Sequence, residues 1–182
     1  SELIGENYIE LAEYYRNPGR WYNAITTLIS SDGKTGVGQV YFFFQFRKEG
    51  IQVDEAIPEN MLEVEAGKLA EKEQKKKEAE DPGKELKGTL AINILEAKDL
   101  KKVDLIGSAD PYVIAKTTKG GLMPVKTKHL KNTLNPIWNH TDEIKLTIHE
   151  IDLEDLGLAV DLFDHDTIKS DDKIAATIIS LT

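Results

Sequence analysis

The sequence predicts an all-β chain, an antiparallel β-sandwich carrying a charged helical linker, and three observations lead there. Apolar residues alternate with polar ones in short runs, loops rich in Asp, Gly, Asn and Pro separate the runs, and one stretch of Glu and Lys interrupts them. The 182 residues are 40% hydrophobic and 30% charged, a composition that supports a packed core, and the length has room for one ordinary domain with a spare segment or for two small domains.

In chain order, residues 8–11, 20–25 and 37–46 read as strands, the last strongly aromatic through Phe42, Phe43 and Phe44. Two or three strands cannot bury both faces and are marginal alone, so this piece must pack on something else. Residues 49–87 form the linker: from Glu59 onward Glu, Lys, Ala and Gln dominate. The pairs Glu71 with Lys75 and Glu73 with Lys77 stand four apart and support an exposed helix, which Pro82-Gly83 ends. Beyond it, Leu90, Ile92 and Ile94 alternate with smaller or polar neighbours, followed by strands at 112–118, around Ile144, Leu146 and Ile148, at 158–163 and at 174–181. Residues 4–11 and 174–181 echo one another at three apolar positions, a short repeat signal.

Composition narrows the function classes. Against 32 Asp and Glu stand 23 Lys and Arg, a net charge of −9 that repels nucleic acid phosphates, so no nucleic-acid partner is expected. The absence of Cys removes disulfides, thiolate metal sites and thiol nucleophiles, and fits a reducing cytosol. No apolar run approaches the ~20 residues of a membrane-spanning helix, and the acidic start is unlike a signal peptide. The expected location is cytoplasmic, with any membrane touched from its cytosolic face. His129, His140, His149 and His165 lack a nucleophile and an orienting acid at a recognisable spacing, so no enzyme activity is expected.

Chemistry concentrates in two acidic loops, 104–110 with Asp104 and Asp110, and 163–172 with Asp164, Asp166, Asp171 and Asp172. Hard cations such as calcium take six to eight oxygen ligands in flexible geometry, and clustered carboxylates without a cation raise one another's pKa. The alternative is that Asp is abundant here because it suits turns; spacing alone leaves both open. An EF-hand loop beginning at Asp164 fails, because Ile168, Lys169 and Ala175 stand where an oxygen ligand, Gly and Glu are needed. An aspartyl phosphatase fails because only ten residues follow Asp172.

Residues 88–182 resemble a C2 domain. The resemblance rests on Ile94-Leu95-Glu96-Ala97-Lys98-Asp99-Leu100, on Gly107-Ser108-Ala109-Asp110-Pro111-Tyr112-Val113, on Thr133-Leu134-Asn135-Pro136-Ile137-Trp138-Asn139 and on Phe163-Asp164-His165-Asp166. It implies an eight-stranded antiparallel sandwich and calcium as the bound ion. The family's five ligand aspartates fall on Asp104, Asp110, Asp164, Asp166 and Asp172, with the backbone carbonyls of Val103 and His165 at further coordinating positions. The family's usual Gly after the last aspartate is Ala175 here.

This half supplies the first six strands of such a domain. Residues 20–25 and 38–46 resemble its last two strands, and 4–11 the strand before them. The chain therefore divides into the last strands of a C2 domain (1–48), a linker (49–87) and the first six strands of a C2 domain (88–182), cut from a tandem protein. The amino-terminal strands are expected to complete the carboxy-terminal sandwich, within the chain or by exchange in a domain-swapped dimer, because the last strand otherwise leaves an open edge.

The resemblance implies calcium-dependent docking on an anionic phospholipid membrane, in trafficking, membrane contact or signalling; the alternative is a calcium-independent protein-interaction or structural C2 domain. From Gly88 onward 15 acidic residues oppose 11 Lys, a net −4 that two calcium ions would cancel. Leu105, Ile106 and Ile168 at the loop tips are candidates for membrane insertion, or else pack over the site. Lys126, Lys128 and Lys131 are read as alternating on a strand, and Tyr112, Lys126 and Lys128 match the family's phosphoinositide cluster, whose other positions are Phe163 and Asp171. The His165 ring is expected to point away from the ligands, and Trp21 and Trp138 to serve packing.

Overall fold

The computed structural model describes residues 2–30, 32–33, 36–59, 77–101 and 109–165. Its elements are β1 (Glu2–Glu10), α1 (Ala12–Arg16), β2 (Tyr22–Ile29), β3 (Gly36–Arg47), β4 (Glu85–Lys98), β5 (Pro111–Thr117), β6 (Val125–Lys126), β7 (Ile137–His149), a 3-10 helix (Glu150–Asp155) and β8 (Gly157–Asp164). The strands run in the order β6-β5-β8-β1-β2-β3-β4-β7, and every pairing is antiparallel.

The period-two pattern explains why this ribbon rolls into two layers. Phe42, Phe44 and Phe46 of β3, Leu90, Ile92 and Ile94 of β4, Ile144 and Leu146 of β7, and Val113, Val160 and Leu162 of β5 and β8 all enter one buried cluster. β1 joins β2 at a single register pair, Glu6 with Ile29, while its pairing with β8 runs from Glu2↔Asp164 to Glu10↔Gly157 with a bulge between Leu3 and Gly5. At the far end of the ribbon a bridge from Gly121 to Leu146 brings the β5–β6 turn back onto β7. Two four-stranded halves thus face one another across the core, the eight-stranded sandwich expected.

The amino-terminal strands sit inside this ribbon. β1 lies between β8 and β2, and β3 pairs with β4 from Gln39↔Lys98 to Arg47↔Thr89. The short α1 adds to that union: the Tyr15 ring meets Phe46 edge-on at 5.5 Å, its hydroxyl donates to the Lys87 carbonyl at 3.0 Å, and Arg16 pairs with Glu154. On the outer face of β3 and β4, Trp21, Phe43 and Ala91 form a second small cluster. The fully buried Gln45 amide donates to the carbonyls of Gly19 and Asp54 and holds the chain leaving β3 against it.

Two readings change. β4 begins at Glu85, three residues inside the stretch read as linker. Most of the expected linker helix, residues 60–76, and the expected strand at 174–181 lie outside the described residues and are not among these changes; the flanking 48–58 and 77–84 are irregular. The lysine strand is only the two-residue β6, so Lys126 stands on it while Lys128 and Lys131 follow in the connection to β7.

Candidate functional site

Two of the predicted ligands meet at one end of the sandwich. Asp110 immediately precedes β5 and Asp164 ends β8, and the register Pro111↔Asp164 sets them side by side. The Asp110 backbone N–H donates to Asp164 Oδ1 at 2.8 Å, and the His165 N–H returns to the Asp110 carbonyl at 3.0 Å. Asn132, in the left-handed region at φ 57°, turns its N–H onto Asp110 Oδ1 at 2.8 Å. Asn tolerates that conformation better than most side chains, which is why the turn can aim a donor here.

The β6–β7 connection is pinned under these groups. Thr133 N–H bonds the Ala109 carbonyl, Leu130 N–H and the Trp138 indole both bond the Pro111 carbonyl, and Asn135 Oδ1 accepts from Asp99 N–H. Asp110 and Asp164 are therefore half-buried oxygen donors oriented by backbone amides, chemistry that fits a hard cation. Among the described residues no group of three or more His, Cys, Asp or Glu could hold a metal. Val103, Asp104, Leu105, Ile106, Asp166, Ile168, Asp171 and Asp172 lie outside the described residues.

Beside the carboxylates opens a cleft of about 320 Å³ lined by Tyr112, Lys126, Thr127, Lys128, His129 and His165. Tyr112 is buried and stacks on Phe163 at 5.3 Å, and the Lys126 ammonium lies 4.8 Å from the centre of its ring. Thr127 is locked to Val113 through both its backbone N–H and its hydroxyl, which fixes the lysines on either side. Three of the four lipid-headgroup candidates, Tyr112, Lys126 and Lys128, thus line one space, and Lys131, exposed in the next turn, does not. Sequence reasoning missed His129 and the role of the His165 ring: the two imidazoles stack at 4.0 Å, and His165 also meets Tyr112 edge-on at 6.3 Å. The contact joins two separate connections and has no periodic signature in the sequence.

The same sheet face carries an acidic pair further along. The register sets Lys126, Ile114, Asp161 and Glu6 in one row across β6, β5, β8 and β1. Glu6 and Asp161 are each only 6% exposed, and Glu6 Oε1 has no hydrogen-bond partner among the described residues. Burial raises both carboxyls above their usual pKa; the Asp161 charge raises Glu6 further, and Lys116 pulls both back.

Comparison with known proteins now decides the family. The C2 domain matches residues 88–182, more than half of the chain. The chain belongs to the C2 domain family. It is 32% identical to human synaptotagmin-1 over 162 residues, covering 81% of this chain and 37% of that protein. It is 35% identical to synaptotagmin-5 of Arabidopsis thaliana over 97 residues, covering 53% of this chain and 16% of that one. A share of 81% cannot fit within residues 88–182, so the likeness to synaptotagmin-1 reaches into the amino-terminal part. A solved structure of two calcium-bound C2 domains of extended-synaptotagmin 2 is 29% identical, covers 49% of this chain and 31% of that one, and superposes with a TM-score of 0.37. Family membership rests on the sequence matches and not on that superposition. The chain spans well under half the length of both synaptotagmins. Among the described residues, no helix is long and apolar enough to cross a membrane.

Proposed function

We propose that this C2 chain is a calcium-dependent phospholipid-binding module of a multi-C2 protein, acting on the cytosolic face of a membrane and catalysing no reaction itself. The observation that supports it is the juxtaposition of Asp110 and Asp164 at neighbouring strand ends beside a cleft bearing Lys126 and Lys128. In this reading Asp104, Asp110, Asp164, Asp166 and Asp172, with the Val103 and His165 carbonyls, hold the calcium. Calcium, when bound, supplies positive charge at the loop end and open coordination positions for lipid phosphate oxygens. The backbone donors on Asp110 and Asp164 keep the carboxylates aimed before the cation arrives, so little reorganisation accompanies docking. Leu105, Ile106 and Ile168 enter the acyl boundary, while Tyr112, Lys126 and Lys128 receive an anionic headgroup such as a phosphoinositide. Residues 1–48 complete the sandwich of residues 88–182.

The test is co-sedimentation with phosphatidylserine vesicles in calcium or chelator, using the intact chain and an Asp110→Asn, Asp164→Asn variant. Asparagine keeps an oxygen acceptor for the backbone donors and removes the charge, so the expected result is calcium-dependent binding that drops at least tenfold in the variant. Binding indifferent to calcium would overturn the calcium switch, and no binding to any vesicle would favour a protein-interaction module.

A further inference from the structure

The place beside β8 has two claimants in this chain. Residues 4–11 and 174–181 share Ile4 with Ile174, Ile9 with Ile179 and Leu11 with Leu181. These are residues that the first stretch turns to the core: Ile4 and Leu11 are buried, and Ile9 packs against the same cluster. Residues 174–181 lie outside the described residues, and what speaks for them is their sequence. The two stretches part on the outer face. Glu6 stands opposite Asp161, each only 6% exposed, and Glu6 Oε1 has no hydrogen-bond partner among the described residues; its counterpart is Ala176. Alanine there would bury no second carboxylate beside Asp161. Gly5 works the other way, because its counterpart is Ala175 and a Cβ at position 5 would press on the Val37 side chain.

The hold on β1 is one-sided. It pairs with β8 from Glu2↔Asp164 to Glu10↔Gly157, with a bulge between Leu3 and Gly5, but with β2 only at Glu6↔Ile29. β2 and β3 are secured separately, by the β2–β3 ladder and by β3 on β4 from Gln39↔Lys98 to Arg47↔Thr89, so β1 can leave without them. β1 enters the sheet at the end where the chain leaves β8, and it runs antiparallel to β8. A chain returning from Asp164 through residues 165–173 would arrive at that same end and in that same direction.

We propose that residues 174–181 exchange with residues 4–11 for the place beside β8, so that either of two strands of one chain closes the sandwich. The exchange gives up the β1–β8 ladder and one pair with β2, takes Glu6 away from Asp161, and leaves the β2–β3–β4–β7 layer as it stands. Once released, residues 2–10 form an unpaired strand with Ile4 and Ile9 uncovered, available to another open sheet edge. The exchange is independent of calcium and lipid binding.

The chain has no Cys, so an introduced pair reports one contact. Tyr8 and Ala159 stand opposite each other in the β1–β8 ladder, within the separation a disulfide spans. The experiment compares, under mild oxidation, a Tyr8→Cys, Ala159→Cys variant with an Ile178→Cys, Ala159→Cys variant, since Ile178 is the counterpart of Tyr8. Both should yield an intrachain disulfide, seen as a monomeric product on a non-reducing gel. Adding Ala176→Glu to the second pair restores a carboxylate beside Asp161 and should slow that cross-link about tenfold. Adding Glu6→Ala instead relieves β1 and should slow it too. If the Tyr8 pair forms and the Ile178 pair does not, β1 is the sole occupant and the exchange is wrong. An Ile178 cross-link indifferent to Ala176→Glu would be a chance collision and would overturn it equally. A dimeric product would put the second strand in another copy and overturn exchange within one chain.

Discussion

Glu6 and Asp161 face one another across the β1–β8 seam, and the cost of that meeting depends on pH. Both carboxyls are raised, first by burial, so the folded chain holds their protons more tightly than the unfolded chain does. Stability from this pair is then highest below the ordinary carboxylate range and falls as pH rises through the raised values, where two charges must be buried. Lys116 is the cation that moderates both, and it is exposed, so it offsets only part of the cost. Glu6→Gln removes one of the charges and its titration. The variant should melt higher than the parent at pH 7.5, and the gap should narrow as the pH is lowered toward 5. Parallel melting curves across that range would mean that the pair carries no pH-dependent cost.

At the scale of elements, the seam between β1 and β8 is also shaped by one glycine. A Cβ at Gly157 would lie 1.9 Å and 2.0 Å from atoms of the Tyr8 ring, so the ring lies where any side chain at position 157 would stand. Gly157→Ala should therefore destabilise by about 1–3 kcal/mol, the usual range for overpacking, and Tyr8→Leu in that background should return part of the loss. Thermal melts of the single and double variants check this; additive losses would show that the two positions do not meet. Neither this contact nor the register around it is legible in the sequence, because the partners lie at opposite ends of the chain, although the open edge of the carboxy-terminal part already calls for the amino-terminal strands. What is legible is the alternation: Leu90, Ile92, Ile94 and Ile144, Leu146, Ile148 announce their strands and their buried faces, since a half-buried strand must alternate. The five-residue α1 is hidden, because one turn with Ala12 and Tyr15 buried is too short to show a helical period. At the site, Asp110 and Asp164 are legible as acidic loop residues, yet their contact follows from the Pro111↔Asp164 register, which no local pattern encodes. His129 is hidden for the same reason: it meets His165 only because β5 and β8 are neighbours.

For the whole molecule the deciding question is whether residues 88–182 can stand alone. β8 has β1 on one side and β5 on the other, and β4 has β3 and β7, so removing residues 1–50 exposes an edge on each. It also removes Leu11, Leu28, Phe42, Phe44 and Phe46 from the fully buried set. At about 1.5–3 kcal/mol for each side chain buried, their combined contribution is comparable to the whole stability of an ordinary domain, about 5–15 kcal/mol. The truncated chain should lose cooperative melting and aggregate. The intact chain should be a monomer by light scattering, because β1 and β3 reach their partners within one chain. A dimer that dissociates only on unfolding would mean that the same strands are exchanged between copies, which preserves every pairing and changes only the connection through residues 49–87. A truncated monomer that melts like the parent would show instead that residues 1–48 do not belong to the sandwich of residues 88–182.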